Sequence, residues 1–179
     1  MDLRSALALD PAPGAIFEPL ADRRDPRRYA ARDKSRDGTF VRIRAIRPDD
    51  RERLDALTTG EGAAGVDVDR DGHVGVVATV WIEGSERMVG WASLAVEPWS
   101  EPRRAQVVLT VLHAWQGRGI GSLLFAHILR VARQCGIDEI HGRVQESNPR
   151  MLRIVGESRL PREIERKGTE LRVSLRLQP

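Results

Sequence analysis

The sequence predicts an α/β domain in which a mixed sheet carries helices on its faces. Three observations predict it. Two β-rich runs, residues 74–82 and 88–96, flank Glu83-Gly84-Ser85 and read as a hairpin. A third run, residues 105–112, leads into the glycine-rich stretch Gln116-Gly117-Arg118-Gly119-Ile120-Gly121-Ser122. An amphipathic segment then places Ile120, Leu123, Leu124, Ile128, Val131 and Cys135 on one helical face, which is the signature of strand, turn and helix in succession.

Residues 1–38 differ in kind. Residues 21–37 alternate Arg and Asp with little that is apolar, so the segment cannot offset its ordering entropy and is expected to be a flexible arm. A second unit, residues 39–179, carries the pattern. Val41, Ile43 and Ile46 open it as a strand. Pro48-Asp49-Asp50 starts a short helix to about Leu57, with Pro at its beginning and acids in its first turn. Residues 58–72 are glycine-rich and polar and read as loop. The hairpin follows, then a connection over 97–102, then the strand before the glycine turn. The helix after the turn ends at Gly136. A fifth strand is expected over 139–144, and a helix from Asn148-Pro149 to about Val155. Residues 163–166 and 171–177, joined through Lys167-Gly168, close the chain as a hairpin. The predicted order is β-α-β-β-β-α-β-α-β-β.

The chain has 179 residues, 41% hydrophobic and 31% charged, which is globular composition with room for a core. Its formal net charge is only +3, and its cations are nearly all Arg, so the basic pI of about 9.7 is weak support for a nucleic-acid partner. The single cysteine, Cys135, excludes an intrachain disulfide and a Cys-based zinc site, fits a reducing cytoplasm, and is expected to pack as a small hydrophobe. His73, His113, His127 and His141 show no metal spacing, so no metal is expected. Trp81, Trp91 and Trp99 lie on or after the central hairpin, where core packing is the default reading, with the lining of an acceptor site as the alternative for Trp99 in its loop. The longest apolar run is too short to span a bilayer, and Asp2 precedes an apolar stretch that lacks a cleavage region. A cytoplasmic protein with no membrane partner is the expectation.

A glycine turn opening a helix is a seat for phosphate, because orphan N–H groups and the helix dipole converge there. Which phosphate ligand sits there decides the function. A P-loop needs Lys and Ser/Thr after its last glycine, and here Gly121 is followed by Ser122 and Leu123. A dinucleotide fingerprint needs a first-strand βαβ context and different glycine spacing. The third reading fits. Residues 116–121 resemble the Q/R-x-x-G-x-G/A signature of the GNAT superfamily of acyl-CoA-dependent N-acetyltransferases. Leu109-Thr110-Val111 and Trp115-Gln116-Gly117 are similar to that family's strand and loop. Val144 to Leu152 (VQESNPRML) resembles its fifth strand and Asn-led helix, and Val41 to Asp50 (VRIRAIRPDD) its opening. The resemblance is nearest to bacterial protein lysine acetyltransferases over Ala105 to Leu124.

That resemblance implies a mostly antiparallel central sheet splayed between its fourth and fifth strands. It implies acetyl-CoA as acyl donor. The main chain of Gln116, Gly117, Arg118, Gly119, Ile120, Gly121 and Ser122 would wrap the diphosphate, with Thr110 and Val111 along the pantetheine arm and Asn148 as a further contact. It implies direct attack by a primary amine, on a protein lysine or a small molecule, in a ternary complex. Oligomeric state is not indicated. The chain also departs from the family. Gln106 stands where the named branch carries a Glu base, and an amide cannot take the proton. Val155 stands where many members carry a Tyr, and Glu157-Ser158-Arg159-Leu160 replaces the usual Gly-Phe. Glu97, Glu146 and His113 are alternative bases. Two other readings stay open: a non-catalytic acyl-CoA-binding regulatory module, and a basic nucleic-acid-binding domain with salt-dependent affinity.

Overall fold

The structure, a computed structural model, describes residues 28–57 and 73–177. Eight strands form one sheet: β1 (Ala30–Lys34), β2 (Phe40–Ala45), β3 (His73–Ile82), β4 (Ser85–Val96), β5 (Arg104–Val111), β6 (Glu139–Gln145), β7 (Arg162–Lys167) and β8 (Glu170–Arg176). Their spatial order is β1-β2-β3-β4-β5-β6-β8-β7. Every neighbouring pair is antiparallel except β5 and β6. Among the described residues three α-helices accompany the sheet: α1 (Arg51–Leu57), α2 (Ile120–Gln134) and α3 (Pro149–Glu157).

The helices take opposite faces because the strands alternate. Val76, Ala78 and Val80 of β3 share a core with Ile120, Leu124, Ile128 and Val131 of α2, whereas Val77 packs with Leu54 of α1 and with Met88 and Trp91 of β4. Full burial of such side chains contributes roughly 1.5–3 kcal/mol each. A bulge at Ala78/Thr79 leaves Val89 unpaired in the β3–β4 ladder, and its carbonyl accepts from Leu112 N–H at 2.9 Å. That bond ties the end of β5, where the glycine turn begins, to the middle of the sheet.

The start of α1 is held by a buried ion pair. Arg44 of β2 meets both oxygens of Asp50 at 2.6 and 2.9 Å, and Asp50 also accepts from Arg47 N–H at 2.9 Å. Burial pushes the Asp50 carboxyl up, but these donors outweigh it and leave it below the usual carboxylate range.

The predicted order holds with one addition, which corrects the arm. Residues 30–34, read as part of it, form edge strand β1 against β2, and Tyr29 and Ala31 are buried. An edge strand draws its bonds from the main chain, so an Arg/Asp-rich segment can form one while burying few side chains. The anchor is lateral. The hydroxyl of Tyr29 bonds the buried ring of His127 on α2, whose Nε2 lies 3.3 Å from Asp33 Oδ2. Residues 1–27 and the expected loop 58–72 lie outside the described residues. The tryptophans also divide. Trp91 is buried, but Trp81 is 73% exposed and Trp99 fully so. Trp81 sits on the α1 face near the β3–β4 turn, where nothing among the described residues covers it.

Candidate functional site

After β5 the chain makes one 3₁₀ turn, His113–Trp115, and enters the glycine stretch. Gly117 and Gly119 have φ of 79° and 89°, a region L side chains avoid, so glycine is required where the chain reverses into α2. The first α2 bond runs from Leu123 N–H to Gly119 O at 3.1 Å. The amides of Ile120, Gly121 and Ser122 therefore precede the intrahelical ladder, and no side chain caps the helix. Partial positive charge accumulates where those amides face outward. Among the described residues the amides of Ile120, Gly121 and Ser122 thus have no main-chain or capping partner, an arrangement that suits an anion.

Neighbouring elements hold the turn in shape. Arg36, in the β1–β2 turn, donates its N–H to Arg118 O at 2.8 Å, and a Cβ on Gly119 would stand 3.3 Å from Arg36. The Arg118 guanidinium lies 3.2 Å from Asp37 and 4.7 Å from the centre of the Trp115 ring. The Ser35 hydroxyl and Thr39 amide hold the Asp37 carboxyl down to about 2. Gln116 donates through Nε2 to Val111 O at 3.0 Å and accepts from Arg150 of α3 at 2.7 Å. Asn148 caps α3, accepting from Met151 N–H at 3.1 Å. A Cβ on Gly121 would meet Ile154 at 3.0 Å, so α2 and α3 approach at that glycine. Arg36, Asp37 and Arg150 were not foreseen as parts of the site, since the first two lie in the expected arm.

Beside the turn the sheet opens. β5 and β6 pair only at Arg104↔Glu139, Ala105↔Ile140 and Gln106↔His141, although both strands continue. Beyond Gln106 the peptide groups of β5 alternate between its neighbours. Thr110 O lies against Gly90 of β4, where a Cβ would meet it at 2.7 Å. Val107 O faces Gly142 of β6, and Val111 O is taken by Gln116 instead of β4. The main-chain groups of Val107, Leu109 and Val111 thus line the opening, and those of Thr110 face the other way. An unpaired strand edge offers donors and acceptors to an extended ligand laid along it.

The expected catalytic positions separate. Gln106 is half-buried on the face that carries Trp91 and α1. Val155 is buried in the opposite core, as a packing residue. His113 is exposed beside the turn, and Glu146 is engaged by Arg166. Glu97 lies 2.7 Å from His141 Nε2. Cys135 is half-buried against the core, its thiol pushed up by burial. Among the described residues no group of three or more His, Cys, Asp or Glu is placed to hold a metal ion, and no helix is long and apolar enough to cross a membrane.

The chain matches the model of the acetyltransferase (GNAT) family over residues 17–155. No curated protein sequence matches it significantly. Among solved structures it is similar to the GNAT domain of PAT from S. lividans, with 25% identity and a TM-score of 0.67 over 82% of this chain and 96% of that one. It is similar to a cAMP-binding acyltransferase from Mycobacterium smegmatis, with 23% identity and a TM-score of 0.61. There it aligns over 84% of its own length and spans 48% of that chain. A GNAT-family acetyltransferase from Streptococcus pneumoniae aligns at 11% identity with a TM-score of 0.60, over 77% of this chain and 99% of that one. At those lower identities the likeness is one of fold.

Proposed function

The chain belongs to the GNAT acetyltransferase family, and on that premise we propose that it moves an acetyl group from acetyl-CoA to a primary amine, a protein lysine or a small molecule. The observation that carries the reading is the glycine turn: a helix N-terminus with uncommitted amides, set beside two strands that part. The amides of residues 117–122 suit a diphosphate, which needs several donors at once and no counter-ion side chain. Val107, Leu109 and Val111 suit the pantetheine arm, whose amides can pair with an open strand edge. Thr110 and Asn148 remain neighbours of that path.

The chemistry follows from the acceptor. An alkyl amine near pKa 10.4 is protonated at neutral pH and cannot attack until a base takes its proton. The freed lone pair then attacks the thioester carbonyl within one complex of both substrates. Main-chain N–H groups at the end of β5 are suited to stabilise the negative charge that develops on the carbonyl oxygen. Gln106 cannot serve as the base.

The non-catalytic reading draws support from Gln106 and Val155 together, since neither can move a proton. Two measurements separate the readings. Acetyl-CoA at a hundredfold excess over its Kd raises the unfolding free energy by about 2.7 kcal/mol under either one. Amine-dependent release of free thiol from acetyl-CoA is expected only of the transferase. Absence of the thermal shift rejects both.

A further inference from the structure

We infer that His141, oriented by Glu97, is the general base of this acetyltransferase in place of the carboxylate missing at Gln106. The inference rests on the function proposed above and names a residue for it. Three observations carry it. First, His141 is the β6 partner of Gln106 at the last register pair before β5 and β6 part. It therefore stands level with Gln106 at the point where the opening begins. Second, His141 shares the face of Gln106. Paired residues of parallel strands point the same way, and their neighbours Ala105 and Ile140 are both buried in the opposite core. Third, Glu97 reaches over β5 from the end of β4 to place Oε1 2.7 Å from His141 Nε2.

A carboxylate only accepts, so it fixes the neutral imidazole with its proton on Nε2 and its lone pair on Nδ1. This is the orienting role of the acid in a nucleophile–base–acid triad. His141 is 13% exposed, open enough to meet an acceptor and enclosed enough to hold one orientation, while Glu97 is 42% exposed. Charged groups on the same face include Arg104 of β5, paired with Glu139 of β6, then Arg143 on β6, Glu170, Arg172 and Arg176 on β8, and Glu163 on β7, which holds Arg176. Buried His127 bonds Tyr29 of the opposite core, away from this face.

The step balances without a further reactant. Nδ1 takes one proton from the ammonium, directly or through one water, and the freed nitrogen pair forms the C–N bond. Collapse of the adduct breaks the C–S bond. The sulfur leaves with that electron pair and takes the second nitrogen proton as the thiol. The imidazolium returns the first proton to solvent.

The test uses the full chain, with free-thiol release from acetyl-CoA followed across pH. Poly-L-lysine, spermidine and water alone serve as acceptors, and acetyl-CoA affinity is measured separately by calorimetry. His141→Gln is expected to keep acetyl-CoA affinity, to lower kcat about 100-fold or more, and to lose the acid limb of the profile. Added imidazole is expected to restore rate to His141→Ala. Glu97→Gln is expected to keep acetyl-CoA affinity and to lower kcat, because the amide no longer fixes the ring with its lone pair on Nδ1. A His141→Gln enzyme as fast as wild type overturns the inference. So does one that is slower with an unchanged pH profile. A wild-type chain that binds acetyl-CoA but neither acetylates nor hydrolyses at any pH also overturns it. Failure to bind acetyl-CoA instead rejects the proposed function itself.

Discussion

Gly119 is the residue on which the shape of the turn depends most. Its φ is 89°, and a Cβ there would stand 3.3 Å from both the main-chain nitrogen and the Cβ of Arg36. Gly119→Ala therefore carries two costs. Holding an L residue in the left-handed region costs about 1–2 kcal/mol. Making room for the methyl group strains the Arg36 N–H to Arg118 O bond, and losing it costs about 1 kcal/mol more. A turn that relaxes to escape these costs no longer presents its amides. The sum of about 2–3 kcal/mol then appears as acetyl-CoA binding weakened roughly 30- to 150-fold. The assay is thermal unfolding with and without acetyl-CoA. At a hundredfold excess over the wild-type Kd the ligand adds about 2.7 kcal/mol to the wild type, and about 0.3–0.9 kcal/mol to the variant. At roughly 2–4 °C per kcal/mol for a domain of this size, a shift of about 5–11 °C falls to about 1–4 °C. Gly84→Ala is the control. Its φ is 74° with nothing within 4 Å, at the β3–β4 turn, so it carries the backbone strain without touching the seat. A Gly119→Ala protein that keeps the wild-type shift, or a Gly84→Ala protein that loses it equally, refutes the reasoning.

Three other outcomes follow from the same geometry. Asp50→Asn breaks a pair whose side chains are 3% and 1% exposed. Such losses cost about 3–5 kcal/mol, and because Glu86 stays 3.4 Å from Arg44 the lower figure applies, a fall in Tm of about 6–12 °C by calorimetry. The Asp50 carboxyl titrates below its unfolded value, near 3.9, so its contribution is complete above that pH and fades as pH falls through the lower folded value. The Tm of the wild type should accordingly drop more steeply below about pH 4 than that of Asp50→Asn, and equal acid sensitivity contradicts the assignment. Tyr29→Phe strips a partner from buried His127 and costs about 1–3 kcal/mol in urea unfolding; an unchanged midpoint shows that β1 is not anchored through that contact. Gln106→Glu sets a carboxylate beside His141 and raises the rate of thiol release at neutral pH, whereas an unchanged rate with acetyl-CoA binding intact counts against the register that aligns Gln106 with the family's base.

The legible parts of this chain are those where side chains decide the structure. The helix at Ile120–Gln134 could be read to its ends, because a 3.6-residue apolar period runs between glycines at both termini. The closing hairpin was legible from Lys167-Gly168, even though every residue of β7 is exposed. β1 was hidden because its stability comes from main-chain pairing with β2 and from Tyr29 reaching α2, 98 residues away. Trp81 was misread because hydrophobicity does not reveal that the α1 face lacks cover near the β3–β4 turn. At the site, the glycine turn was legible because positive φ demands glycine at fixed spacing. The groups that support it were not, since Arg36 and Arg118 meet only after the sheet is assembled. Glu97 could be named from sequence as one of three acids or bases, but its pairing with His141, 44 residues on, is a product of strand register.

The central claim is that bare amides at the start of α2 bind the diphosphate of an acyl-CoA. Amide NMR of ¹⁵N-labelled protein tests it residue by residue. Titration with acetyl-CoA should move the resonances of Gly117, Arg118, Gly119, Ile120, Gly121 and Ser122, and S-acetylpantetheine, which has the thioester but no diphosphate, should leave them in place. Saturation by acetyl-CoA with those six amides unmoved contradicts the account.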